Sequence, residues 1–244
     1  MTGFWTVFLL LVSPAIGSFL GVLVDRLPRG ENVILSPSRC RSCKTRLSLR
    51  DFVPLLSYLL LRGRCRHCDA PIPGWLWLME LAATGLAGLA ILRGGTAWDI
   101  WCAAALLWLL LALAVSDLRS FRLPDALTAA LAALCLGAAL AQGVFLLALA
   151  GGLIGAGSFL ALRIAYHSLR GREGLGLGDV KLMAGLGALT GPFDLPLLVL
   201  IAALTALAAA VIRVGKLNRQ VALPFGAALA VSGAFLWLFE KTLL

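Results

Sequence analysis

Stretches of about 17–25 residues without a charged side chain recur from one end of this chain to the other. That is the length a helix needs to cross a bilayer core of about 30 Å. In lipid every backbone N–H and C=O must find a partner within its own segment, so runs of this kind can cross only as helices. Of the 244 residues, 61% are hydrophobic and 14% are charged, well below the roughly 25% charged residues of an ordinary soluble domain. Eight spans are expected, over residues 4–24, 75–92, 99–116, 124–141, 144–163, 180–192, 195–212 and 222–239. The first is not a cleaved secretory signal by pattern: no Lys or Arg precedes Arg26, and the basic residues follow the apolar run. Gly151, Gly152, Gly155 and Gly157 are small residues that would let helices pack closely.

Positive charge fixes the expected orientation. Of 21 Lys and Arg residues, ten lie in 25–74, two in 117–123, four in 163–181 and three in 213–221, leaving only Arg93 and Lys241 elsewhere. Eight crossings with the N-terminus outside place nineteen of the 21 on the cytoplasmic side. The net charge of +9 is then a topological signal, and a nucleic-acid partner is not needed to explain it. The polar stretch 25–74 becomes a cytoplasmic insert between the first two spans, too small to fold on its own core alone.

That insert carries Cys40-Arg-Ser-Cys43 and Cys65-Arg-His-Cys68, 21 residues apart. Two CxxC turns can aim four sulfurs at one point, the donor set of a structural zinc site, with Arg39, Arg41, Arg64 and Arg66 to offset its negative charge. Two disulfides or a redox-active CxxC are the rival readings; a reducing compartment disfavours the first, and a redox role needs one pair, not two. His67 sits between better ligands. Cys102 and Cys135 lie in apolar runs and are expected to be packing residues.

Acids are scarce, twelve in all. Asp117 ends an uninterrupted apolar run and is followed by Leu123-Pro124-Asp125. Asp179 sits in Gly174-Leu-Gly176-Leu-Gly178-Asp179-Val-Lys181, directly before another. Both are expected on the same membrane face, where ionisable groups at span ends mark function. Two carboxylates within a few Å cannot both ionise easily, so they share a proton and can act together as general base and general acid on a peptide bond. Gly176 and Gly178 would let a substrate strand approach Asp179. Two alternatives stand beside this reading: Asp117 could pair with Arg119 or Arg122, and Asp125, after Pro124, could cap a helix.

In sum the residues resemble the type IV prepilin peptidases of the GxGD class of membrane aspartic proteases. Gly176-Leu-Gly178-Asp179-Val-Lys181 is similar to one active-site motif, and Asp117 with Leu123-Pro124-Asp125 to the other. Gly17-Ser18-Phe19-Leu20 with Arg26-Leu27-Pro28, and Pro54 through Ser57-Tyr58 to Cys68, resemble two further signatures. The resemblance implies a multi-pass protein of the bacterial inner membrane that cleaves the basic leader of prepilins or pseudopilins at the cytoplasmic face. It makes Asp117 and Asp179 catalytic, with Gly176, Gly178, Lys181 and Asp125 in the active-site loops and Cys40, Cys43, Cys65 and Cys68 as zinc ligands. It also implies N-methylation of the new N-terminus with S-adenosylmethionine, assigned to residues 1–92, with a peptidase domain over 99–244. One segment departs from the family: Pro73-Gly74-Trp75-Leu76-Trp77-Leu78-Met79-Glu80 lacks the usual Arg-Tyr-Pro and keeps Glu80, the one residue there that points to the methyl donor. A transporter would carry acids near mid-span and repeated halves, which are not seen; a membrane thiol oxidoreductase would need its CxxC pairs on the outer side.

Overall fold

A computed structural model describes residues 2–33, 36–48, 51, 53–171, 174–214 and 223–239. The described residues form helices without named strands: α1 (Thr2–Arg26), a 3₁₀ turn (Leu27–Arg29), α2 (Leu56–Leu60), α3 (Gly74–Arg93), α4 (Ala97–Ser120), α5 (Asp125–Ala141), α6 (Phe145–Arg170), α7 (Leu177–Val214) and α8 (Phe225–Phe239). Among the described residues, five stretches are long and apolar enough to cross a membrane: α1, α3, α4, α6 and Leu195–Ile212 of α7; α5 and α8 are apolar but shorter. Many large apolar side chains are exposed, Phe4, Leu11, Leu92, Leu153 and Ile164 among them. Outward apolar surface on this scale suits lipid and would be a liability in water. The eighth crossing expected from the sequence depends on α7, which is two helices joined at a kink. Gly191 has φ 75° and ψ 176° there, a conformation open to glycine and strained for other residues. Pro192 follows it and has no N–H to continue the helical ladder.

The chain divides into two compact units, residues 1–108 and 109–244, with the boundary inside α4. In the first, α1 and α3 cross at Gly17. A Cβ built there would lie 2.6 Å from Glu80 Cα and 2.7 Å from Met79 O, so only glycine permits the crossing. Trp108 donates its indole N–H to Ala83 O at 2.9 Å, tying the middle of α4 to α3.

In the second unit, glycines set the spacing of α6 and α7. A Cβ on Gly152 would come within 2.8 Å of Ala184 O, and one on Gly155 within 2.8 Å of Met183 O; Gly151 faces Gly187 backbone to backbone. Backbones in contact gain dispersion energy along the seam, the main attraction available between helices in lipid. Gly157, grouped with these in the sequence, faces open space: it lies on another side of α6. Gly185 does the same work against α5, where its Cβ would meet Leu131 at 2.9 Å. This packing brings the first turns of α5, α7 and α8 and the last turn of α4 together.

Candidate active site and metal centre

Asp117 lies in the last turn of α4 and is buried. Its Oδ2 accepts the Ala227 backbone N–H at 2.8 Å, in the first turn of α8. The first N–H groups of a helix have no partner within it, and their partial positive charge favours an anion. A carboxylate from α4 therefore caps α8. A backbone amide, rather than the expected ion pair with Arg119 or Arg122, is what holds this oxygen.

Asp179 occupies the third position of α7, and its Oδ2 accepts the Gly176 N–H at 3.2 Å. A side chain there reaching back to the residue before the helix is one half of a capping box. The bond orients the carboxylate and leaves Oδ1 facing α8. Gly178 has a different use from the expected one. A Cβ on it would lie 3.0 Å from Leu123 Cβ, so the missing side chain lets α7 close on the chain's own 121–124 segment. Arg163 of α6 donates to Leu175 O and holds the approach to this turn.

Gly226 joins the two acids. A Cβ at this position would be 3.1 Å from Asp117 Oδ2 and 3.1 Å from Asp179 Oδ1. The two oxygens thus converge on one point, and their separation cannot exceed twice that distance. Oxygens gathered this closely are within reach of a single water placed between them. Leu123 would also be met, at 2.8 Å. Sequence reasoning missed Gly226 and Ala227. The signal available was Leu223-Pro224-Phe225-Gly226, a proline at a helix start with, two residues on, a glycine that helix propensity alone disfavours.

Asp125 is the first residue of α5, and its exposed carboxylate meets Lys181 Nζ at 2.7 Å. The expected cap is thus a cross-link between the starts of α5 and α7, 56 residues apart. Gly176, Gly178, Asp179, Lys181, Asp125 and Asp117 all fall in this one region. Glu80 does not: it belongs to the first unit, where its Oε2 accepts the Leu55 N–H at 2.7 Å.

The four cysteines also come together. Their sulfurs lie within 4.8 Å of one another, with Cys40–Cys68 at 3.8 Å and Cys43–Cys65 at 4.0 Å. Disulfide sulfurs would be about 2.05 Å apart, whereas a tetrahedron of thiolates bonded at about 2.3 Å has edges of roughly 3.8 Å. The donor set fits a metal ion. The two turns repeat one geometry. Cys40 N–H donates to Thr45 O and Lys44 N–H to Cys40 O; Cys65 N–H donates to Ala70 O and Asp69 N–H to Cys65 O. The residue after each pair, Lys44 (φ 60°) or Asp69 (φ 54°), is left-handed, a conformation that is uncommon outside glycine.

The Thr45 hydroxyl and N–H lower the Cys43 thiol to about 6, and the N–H groups of His67 and Cys68 lower Cys65. Cys68 moves up to about 11: the Ala70 N–H pulls it down, but burial and the neighbouring sulfurs outweigh it. Four thiols packed this closely resist full ionisation unless a cation joins them. Of the arginines expected to offset the site, Arg41 pairs with Asp25 and Arg66 with Asp51.

A helical protein with spans of membrane length, two acids converging at helix ends and a four-thiol module is, as a class, a membrane-embedded protein with a carboxylate pair and an appendage whose four sulfurs could hold a metal ion. Comparison with known proteins makes this specific. Residues 11–93 match the family model for the bacterial peptidase A24 N-terminal domain, and residues 104–211 match the type IV leader peptidase family. A protein of Dickeya chrysanthemi named prepilin leader peptidase/N-methyltransferase is 40% identical, over 94% of this chain and 91% of its own length. Proteins with that name from Burkholderia pseudomallei (strain 1026b) and Aeromonas hydrophila are each 34% identical over 96% of this chain, covering 85% and 91% of their own lengths. No solved structure matches the chain. The chain belongs to the type IV leader peptidase family.

Proposed function

We propose that this protein is a prepilin leader peptidase that cuts the basic leader from prepilins or pseudopilins with Asp117 and Asp179, and then N-methylates the exposed N-terminus using S-adenosylmethionine. One observation carries the reading: Asp117 Oδ2 and Asp179 Oδ1 converge on the space above Gly226. The names of the relatives supply the substrate class and the second activity.

Asp117, held by the α8 amide, is the better-stabilised anion and acts as the base. Asp179 carries the shared proton. A water between them loses a proton to Asp117 as its oxygen attacks the scissile carbonyl, while Asp179 donates its proton to the carbonyl oxygen. Collapse of the tetrahedral species breaks the C–N bond. The leaving amine takes the proton from Asp117, and the diol returns one to Asp179, which restores the starting state.

In this reading the chain crosses a bacterial inner membrane eight times, with the two limbs of α7 and the short α5 and α8 as spans, and the acids face the cytoplasm beside the Lys- and Arg-rich loops. Residues 1–92 serve methyl transfer and 99–244 proteolysis. The metal is zinc, held by Cys40, Cys43, Cys65 and Cys68; it is redox-inert and supplies structural cross-linking of the insert. The partners are prepilin or pseudopilin substrates and membrane lipid, with no role for nucleic acid.

Incubating purified protein with a prepilin and weighing the products tests both activities. The expected masses are the loss of the leader alone without methyl donor, and that loss with one added methyl when the donor is present. An intact prepilin would overturn the assignment. Gly226→Ala should cut the cleavage rate roughly 10–100-fold, the scale of about 1–3 kcal/mol for forcing a methyl into a filled site, with normal membrane insertion. Wild-type rates from that variant would mean that the two carboxylates are not gathered at this point.

A further inference from the structure

The first unit holds a cavity of about 240 Å³ between α1, α3 and the four-cysteine module. Its charged lining is unevenly matched. Asp25 is neutralised by Arg29 and Arg41, at 2.7 and 2.9 Å, and Asp51 by Arg66 at 3.0 Å. Glu80, half-buried, has no cation among the described residues. One of its oxygens takes the Leu55 N–H, and the other takes no hydrogen bond from a described residue. Arg26, also half-buried, is the mirror case: its guanidinium donates to the carbonyls of Ser36 at 2.6 Å and Pro37 at 3.3 Å but meets no carboxylate among the described residues. Tyr58 and Trp77 stack in the same lining, centroids 5.8 Å apart and 21° from parallel. The Trp77 indole N–H is buried with no hydrogen-bond partner among the described residues. An anion and a cation with no partner of opposite charge among the described residues, both partly desolvated, are costly to hold. Together with an aromatic pair they suit a ligand that bears a cation, a carboxylate and a flat apolar ring.

We propose that this cavity is the S-adenosylmethionine site, with Glu80 facing the sulfonium end, Arg26 the ligand carboxylate and the Tyr58–Trp77 pair the aromatic part. The assignment rests on the methyl-transfer reading above and gives it a location. In the reaction the amine lone pair forms the new N–C bond to the methyl carbon as the C–S bond breaks. The bonding pair returns to sulfur as a neutral thioether, and the resulting ammonium releases a proton to water. Gly17 is what makes the place possible, because the α1–α3 crossing it permits sets Glu80 beside α1.

Binding tests this without turnover. Full-length protein in detergent is titrated with S-adenosylmethionine and with S-adenosylhomocysteine, its uncharged thioether counterpart. Glu80→Gln should weaken the sulfonium ligand about tenfold or more and the thioether by about twofold or less, since loss of a charge–charge contact is worth a factor of this size. Unchanged zinc content reports that the variant is folded. Independently, ultraviolet cross-linking of labelled donor to the wild-type protein should mark the segment 53–80. Equal weakening of both ligands, no weakening, or label confined to residues 109–244 would overturn the cavity assignment and leave methylation standing. A wild-type protein that neither binds the donor nor methylates a cleaved prepilin would remove the methyl-transfer reading itself.

Discussion

Asp117→Asn and Asp179→Asn are each expected to abolish prepilin cleavage, with a loss of roughly 10³-fold or more, while the protein still reaches the membrane at normal levels. The size follows from the sharing of one proton. Asparagine keeps the shape and can still meet the neighbouring N–H through its carbonyl, but it neither accepts a proton from water nor donates one to the scissile carbonyl. The acids act as a unit, so the double variant should be no slower than either single one. Asp125→Asn marks the contrast. Its carboxylate pairs with Lys181, and the two side chains are 74% and 48% exposed. An exposed pair is worth no more than about 1 kcal/mol, so cleavage should fall by less than about tenfold. Cleavage in membranes, read by the gel shift of prepilin, checks all four variants. Full activity in either single dyad variant would remove that residue from the mechanism, and a dead Asp125→Asn at normal abundance would show that the wrong partner was assigned.

Loss of the metal should be the other large effect. Purified protein is expected to carry about one zinc per chain, and Cys40→Ser with Cys65→Ser should abolish it. Four-cysteine sites bind zinc with apparent energies of about 10–16 kcal/mol, far more than a segment as short as 36–72 can gain from its own apolar contacts. The two turns hold left-handed residues at Lys44 and Asp69, a strain that persists only where something over-determines it. Without metal the segment should open. Limited proteolysis should then cut between residues 36 and 72 in the double variant and spare the wild type. Protection without zinc would show that the insert is folded by other means.

Much of the architecture was legible in the sequence because its causes are local. Apolar length requires helices in lipid whatever surrounds them, and a CxxC turn presents two sulfurs by its own geometry. The acids stood out because charged side chains are rare here. Spacing could not say which neighbours a side chain would meet. Asp125 looked like a helix cap, since Pro124-Asp125 is a helix start. Its partner, Lys181, lies 56 residues away, and only folding brings it near. Gly178 looked like an opening for substrate, whereas the space is closed by Leu123 of the same chain. Gly157 looked like its neighbours on α6, and the helix turns it away from the seam.

The sequence by itself determined that this chain is built of apolar helices with a four-thiol insert and two acids at helix ends, because burial in lipid and thiol chemistry act through residue type and short spacing. Only the tertiary structure decided that Asp117 and Asp179 meet over Gly226, that the Ala227 amide holds one of them, and that Glu80 and Arg26 share a cavity. Those relations come from helices that cross where glycine removes the obstacle, and a crossing point depends on pairs of surfaces distant along the chain.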